Sequence, residues 1–360
     1  MQDLQLIHHF PLLDPALLHQ STQKAIAEIV SGGESENTRN SYKSAMKYWA
    51  AWYKLRYGQT LSLPLPVPVI LQFIVDHALR STANGDSVGL PAELDLFLVK
   101  NGYKAKAGHF SINTILHRLS VLSKAHKMTA AHPNPCQDPR VHELIDKTRK
   151  LYAKKGMYSL KRPAITKEPL SQILDTCDDS LKGIRDKALI LFAWVSGGRR
   201  RSEVANAHFS QLIYKPGSSD YLYLLLHSKT NQTGTVSENV YKPVTGIAAQ
   251  ALRDWINMSE LQSGYIFRQI NKSGVIGEKL TPTSINNIIK ARCKLAGLDE
   301  AFTAHSLRSG FVTEAGKQNV PIAETMLLTG HKNINTLISY YREANILESK
   351  AANLFENSNN

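Results

Sequence analysis

Residues 196–204 read Ser196-Gly197-Gly198-Arg199-Arg200-Arg201-Ser202-Glu203-Val204. An apolar run, Asp186 to Val195, leads into this stretch and predicts a helix that the two glycines stop. Three arginines come next, then Ser202 and Glu203. A helix restarting here would turn its first N–H groups and a guanidinium towards an anion. Taken alone, the stretch reads more readily as a solvated basic turn. The rest of the chain decides between the two.

Three further patterns come later in the chain. His227-Ser228-Lys229-Thr230 closes Tyr221 to Ser228, whose aromatic and aliphatic content predicts a strand. Val240 to Pro243 is its expected partner across a polar turn. A lysine on such a hairpin can reach into a groove and deliver a proton. His305-Ser306-Leu307-Arg308 puts an imidazole and a guanidinium on one helical face. That pair suits acid–base work on a phosphate. Thr329-Gly330-His331 is the third, and Tyr340 and Tyr341 close the next predicted helix. Each pattern has a bland reading. A surface lysine is usually solvated, a histidine three residues before an arginine is common by chance, and a tyrosine is more often core.

Charge narrows the choice of substrate. The 360 residues carry 43 Lys and Arg against 30 Asp and Glu, a formal +13. Such an excess points to a polyanion. The 42% hydrophobic content is ample for packed cores in two domains. The three cysteines are isolated and form no zinc or disulfide pattern. The N-terminal residues lack the basic and apolar regions of a signal peptide, and no stretch approaches a membrane span. The expected setting is therefore cytoplasmic.

The first half predicts helices at Ser21–Val30, Ser35–Tyr57, Val67–Leu79, Ser111–His126 and Asp138–Lys155. Thr82 to Ala107 reads as a loop with one helical piece. The second half predicts the strand pair and helices at Ala248–Met258, Thr283–Leu295, Ser306–Gln318, Ile322–Thr329, Ile334–Tyr341 and Ile346–Phe355. The expected organisation is an N-terminal arm (1–20), a helical domain (21–155), a linker (156–169), a mixed domain (170–345) and a terminal helix and tail (346–360). Arg39, Lys43, Lys47, Arg118 and Lys124 recur along the first-half helices; each alone reads as a solvated side chain, and together with the charge excess they are candidates for contacts with a polyanion.

Taken in order, Gly198-x-Arg200-x-Ser202-Glu203, a strand-borne Ser228-Lys229-Thr230, His305-x-x-Arg308, and Gly330-His331 with Tyr340 nine residues on resemble the tyrosine recombinase (phage integrase) family. The resemblance covers most of Gly198 to Phe355. It implies a mostly α, two-domain protein. A SAM-like helical core-binding bundle and a mixed α/β catalytic domain with a small antiparallel sheet would close on DNA as a C-clamp. It implies that Arg200, Arg308 and His331 hold the scissile phosphate and that Tyr340 is the nucleophile forming a 3′-phosphotyrosyl link. His305 would accept or orient a proton, Lys229 would protonate the leaving 5′-oxygen, and Glu203 would brace an arginine or histidine. Arg199 and Arg201 compete for the place of Arg200, and Tyr341 for that of Tyr340. The family has His or Trp where His331 stands. Residues 82–108 have no role under the resemblance.

The same resemblance implies a site-specific recombinase acting on double-stranded DNA with an inverted-repeat site. It would assemble as a tetramer on two sites, with the 346–355 helix docking into a neighbour, and work at the nucleoid of a bacterial, phage or plasmid system. No cofactor or metal is expected, because the covalent link conserves bond energy and the cations are the protein's own. Three other readings compete. One is a type IB topoisomerase-like nicking and resealing enzyme. Another is an inactive DNA-binding protein. The third, a metal-dependent nuclease, finds no HxxxH, HxH or carboxylate cluster to support it.

Overall fold

A computed structural model of the chain describes residues 24, 28–29, 32–82, 85–129, 131–157, 162–226 and 240–345, with side chains to Tyr341. The chain divides into two compact units, Met1–Ser159 and Leu160–Asn360.

The first unit is built on α1 (Glu36–Tyr57), and its ends are set by sequence. The Ser35 hydroxyl accepts from the Thr38 N–H, Glu36 sits in the first turn, and Lys54 and Arg56 sit in the last. Gly58 ends the helix in the left-handed conformation. Ala45, Tyr48, Trp49 and Trp52 face inward against α2 (Val67–His77). Trp49 stacks on Phe73 at 3.8 Å between centroids, and Trp52 meets the same ring edge-on at 5.0 Å. Each indole N–H finds an acceptor, Arg118 O for Trp49 and Asp76 for Trp52. α4 (Ile112–Met128) and α5 (Pro139–Lys154) complete the bundle.

Within Thr82 to Ala107 the expected helical piece forms, but the rest is not all loop, and this half is not wholly helical. Arg80–Thr82 (β1) and Gly85–Ser87 (β2) form an antiparallel hairpin, and Ala92–Lys100 is helix α3. Alternation is too short in such strands to show in sequence. A buried ion pair, Lys104 with Asp95, closes the segment. Asp95 also accepts from the Gly108 N–H at 2.6 Å. This segment therefore serves the bundle: it carries Phe110 to the ring cluster, stacked on His77 at 4.7 Å.

His77 gives this unit a pH response. The Tyr48 hydroxyl meets His77 Nε2 at 2.5 Å, and Nδ1 lies 2.7 Å from Phe73 O. Phe73 O can only accept, so the proton sits on Nδ1 and Nε2 accepts from Tyr48. Burial pushes the imidazole down to about 3, despite the Phe73 hydrogen bond. The unfolded chain binds its proton near the ordinary value of 6.5, the folded chain only near 3. Between those values the unfolded state holds more protons, so stability falls as pH drops. The loss is on the order of 4 kcal/mol. Urea unfolding across that window should show this slope, and His77→Gln, neutral at every pH, should flatten it. An equal slope in both proteins would assign the acid response elsewhere.

The second unit is organised around α7 (Leu181–Val195), whose residues 188–193 are all buried. The Ser180 hydroxyl caps it through the Gly183 N–H. The helix begins five residues before the apolar run because Ser180 is the first side chain able to cap it. α6 (Lys167–Asp175) and α9 (Gly246–Ser259) belong to the same core. β3 (Leu212–Lys215), β4 (Asp220–Leu224) and β5 (Tyr241–Val244) form an antiparallel sheet in that order. Tyr223 pairs with both Leu212 and Lys242. A second hairpin, β6 (Arg268–Ile270) and β7 (Ile276–Lys279), has no counterpart in the sequence reading. α10 (Pro282–Leu295), α11 (Ala304–Lys317), α12 (Ile322–Thr329) and α13 (Ile334–Asn345) come last. Ile165, in the stretch read as linker, is fully buried in this unit, and its N–H donates to Ser306 O at 2.9 Å. Among the described residues no helix is long and apolar enough to cross a membrane.

Candidate active site

The glycine pair after α7 brings three elements together. Gly197 and Gly198 both have positive φ, +98° and +67°. A Cβ on Gly198 would lie 2.7 Å from the Cα of Arg308 in α11, and one on Gly197 would lie 2.6 Å from Leu328 O in α12. Only glycine allows these backbones so close. The chain then restarts as α8 (Arg201–Ala205), with Arg200 at its N-cap. Glu203 reaches back from the first turn. Its carboxylate accepts from the Arg200 backbone N–H at 3.1 Å and the Arg200 guanidinium at 2.6 Å.

Arg199 and Arg200 divide the work that sequence left open. Arg199 points inward with 1% of its side chain exposed, while Arg200 keeps 25% exposed. Arg199 donates to Gly197 O and Leu328 O, and lies 3.6 Å from Glu203. Its Nε is buried without a hydrogen-bond partner. Burial lowers Arg199 to about 10. Burial also works to raise the Glu203 carboxyl, but Arg199 and Arg200 outweigh it and hold the group below the usual carboxylate range. Arg201 is exposed at the start of α8.

Arg308 is 4% exposed. It donates to Gly198 O at 3.0 Å, to Thr329 O at 2.7 Å and to His331 Nε2 at 3.3 Å. Burial lowers it to about 9, with Arg200 and Arg199 adding repulsion and Glu203 and Tyr340 opposing. A guanidinium that is buried and faces two others is suited to a phosphate, whose charge would offset theirs.

His331 sits just past Gly330, the left-handed cap of α12. Its Nδ1 lies 2.7 Å from Thr329 Oγ1, which gives its own proton to Thr325 O at 2.7 Å. Nδ1 therefore carries the ring proton and Nε2 accepts from Arg308. Burial, then Arg308, Arg200, Arg199 and His305, lower His331 to about 4, so its ring is neutral near pH 7. His305, one turn before Arg308, stands solvent-exposed. Partial burial and repulsion from Arg308 and Arg200 lower it from the usual histidine value.

The two tyrosines of α13 differ. Tyr341 gives its proton to Val320 O at 2.9 Å and accepts from Thr325 Oγ1 at 2.5 Å. Its hydroxyl is committed to the start of α12. Tyr340 is half-buried and acts electrostatically on Arg308. Arg200, His305, Arg308, His331 and Tyr340 thus share one electrostatic neighbourhood. Lys229 lies outside the described residues, as do residues 346–355, where a terminal helix is expected.

Sequence reading missed one buried cation here. Lys242, on β5, is 2% exposed and donates to Leu327 O at 2.7 Å. Burial, then Arg199, lower it to about 7. The signal was available: Val240, Lys242 and Val244 alternate onto one inward face, and a lysine between two valines breaks the pattern.

The expected DNA-contacting residues lie on α1 and α4 of the first unit. Arg39, Lys43 and Lys47 are exposed, spaced by fours along α1. Lys124 is ion-paired to Glu34 and stands 4.6 Å from the Tyr42 ring centroid. Arg118 lies 4.3 Å above the Tyr48 ring and donates to Ser44 O at 3.1 Å, tying α4 to α1. Beside them an open groove of about 390 Å³ runs between the helices, lined by Ser41, Ser44, Asn113, Thr114 and His117 among others.

Residues 163–346 match the Phage integrase family. An "Integrase/recombinase xerD homolog" of Selenomonas ruminantium is 31% identical over 253 residues, 68% of this chain and 72% of that one. "Recombinase cre" of Escherichia phage P1 is 21% identical along 95% of both chains. The solved Tn1549 transposon integrase, in complex with transposon right end DNA, shares the fold at a TM-score of 0.56 and 13% identity, over 91% of this chain and 96% of that one. With more than half of its length matched, the chain belongs to the phage integrase family, the tyrosine recombinases that break and rejoin DNA strands.

Proposed function

We propose that this chain is a site-specific recombinase that cuts each DNA strand with Tyr340. The phenol oxygen attacks the scissile phosphorus, the phosphorus–O5′ bond breaks, and the strand is held as a 3′-phosphotyrosine. The freed 5′-hydroxyl of a second duplex then reverses the step. Arg200 and Arg308 bind the non-bridging oxygens and balance the charge of the transition state. His331 shares that task, as a donor once it gains a proton or changes tautomer. His305 takes or orients the tyrosine proton, Lys229 protonates the departing oxygen, and Glu203 braces Arg200. The observation that carries this reading is the charge around Arg308: three guanidiniums, Arg199, Arg200 and Arg308, share one carboxylate, Glu203, with the rings of His305 and His331 beside them.

Arg39, Lys43 and Lys47 meet backbone phosphates, with Arg118 and Lys124 beside them. The serine, threonine, asparagine and histidine groups of the α1–α4 groove suit base edges. Exchange between two duplexes takes one tyrosine per cut strand, which favours a tetramer on two sites, with 346–355 as the docking element. Bacterial and phage relatives favour action at the nucleoid, in the cytoplasm.

The test is to incubate the protein with DNA of its own replicon, trap covalent complexes in detergent and sequence the attached ends. A recombinase gives one recurrent, inverted-repeat site and exchanges two-site plasmids. Relaxation without exchange would identify a topoisomerase-like enzyme, and the lack of any covalent complex a DNA-binding protein only.

A further inference from the structure

The last three carbonyls of α12 each receive a different cation. Lys242 of β5 donates to Leu327 O at 2.7 Å, Arg199 of the glycine turn to Leu328 O, and Arg308 of α11 to Thr329 O at 2.7 Å. Carbonyls at a helix C-terminus have no partner within the helix, and they carry the negative end of its dipole. Here three elements of the second unit close that end, directly before Gly330 and His331.

Two of these cations stand in or beside the sequence motifs, but Lys242 does not. It occupies an inward strand position where an aliphatic side chain would be the ordinary choice, and it places an ammonium beside Arg199 and Arg308 with Glu203 as the nearby carboxylate. It reaches no solvent-facing part of the site. Its Nζ donates to the last turn of α12. We infer that Lys242 is a positioning residue: it holds the last turn of α12 so that Thr329 and Arg308 set the ring of His331.

The coupling runs through shared donors. One nitrogen of Arg199 serves both Gly197 O and Leu328 O, and one nitrogen of Arg308 serves both Thr329 O and His331 Nε2. Without Lys242, Leu327 O loses its partner and competes for these two donors. The last turn of α12 then shifts. Thr329 moves with it, and Thr329 Oγ1 is what holds His331 Nδ1. The ring loses its fixed tautomer and its alignment on Arg308.

The activity arm of the test rests on the proposed function. Cleavage of a nicked duplex carrying the trapped site is measured in single turnover for Lys242→Met, for His331→Ala and for the double variant. Lys242→Met keeps the aliphatic stem and removes the donor. It should slow cleavage about tenfold in the otherwise native protein, with DNA binding changed less than about twofold. In the His331→Ala background it should have less than about a twofold further effect. Lys242→Gln, which restores a neutral donor, should recover part of the rate and serves if the methionine variant does not fold. Equal losses with and without His331 would overturn the inference, as would no loss in the native background.

The second arm needs no activity. Imidazole ¹⁵N spectra of the DNA-free protein, with His331 assigned by its loss in His331→Ala, should show a ring protonated at Nδ1. Lys242→Met should move this towards a tautomer average, and Lys242→Gln, with its neutral donor, should move it less. An unchanged His331 signal would overturn the inference even if the protein cleaves no DNA, whereas failure of cleavage in the unsubstituted protein speaks only against the recombinase reading.

Discussion

Tyr340→Phe is expected to abolish covalent attachment to DNA, by roughly a thousandfold or more, while leaving DNA binding intact. Phenylalanine keeps the ring and removes the oxygen proposed to bond to phosphorus. The neighbouring tyrosine makes the sharper comparison. Tyr341→Phe should retain cleavage, because the Tyr341 hydroxyl is already engaged by Val320 O and Thr325 Oγ1. Attack by Tyr341 would require breaking both bonds and turning α13. What Tyr341→Phe should lose is stability, about 1–2 kcal/mol for the two hydrogen bonds. Detergent-resistant protein–DNA adducts and thermal midpoints, measured on both variants, separate the two roles. An adduct formed by Tyr340→Phe and missing from Tyr341→Phe would exchange the assignments.

That contrast marks a limit of sequence reading. Two adjacent tyrosines at the end of a helix offer the same chemistry, and helix phase alone left both open. The choice is argued from Val320 and Thr325, residues far from either tyrosine in sequence. Arg199 and Arg200 behave alike. The run of three arginines promised an anion site, but only the glycine backbone conformations decide which guanidinium turns in and which stays open. Lys242 fell from view for the opposite reason: strand patterning showed it, but no motif gave a reason to look.

The long helices were legible because their signals are local. Ser35 and Gly58 fix α1, and its buried aromatics recur at helical spacing. The hairpin at 80–87 and the β6–β7 pair were not, because strands of three or four residues carry too little alternation. The linker reading of residues 156–169 rested on charge and prolines. It passed over Ile165, which is buried in the core of the second unit and hydrogen-bonds through its backbone to Ser306, some 140 positions later.

Gly198→Ala is expected to be the most damaging change outside the reacting groups themselves. Two costs combine. At φ +67° an alanine pays about 1–2 kcal/mol for left-handed backbone. Its Cβ would also stand 2.7 Å from the Cα of Arg308, and that contact is with backbone, which cannot swing aside as a side-chain tip can. The turn must therefore move away from α11. Arg308 loses its hydrogen bond to Gly198 O, and Arg200, two residues on at the N-cap of α8, moves with the turn. Groups that must converge on one phosphorus tolerate little displacement, and an error near 1 Å costs about a hundredfold. The variant should therefore lose about 2–4 kcal/mol in denaturant unfolding and at least about a hundredfold in single-turnover cleavage. Its DNA affinity should fall less, because the contacts proposed for the first unit are untouched. A Gly198→Ala protein that cleaves within threefold of the unsubstituted rate would mean that Arg200 and Arg308 need not be held together by this turn, and the glycine pair would lose its place at the centre of the site.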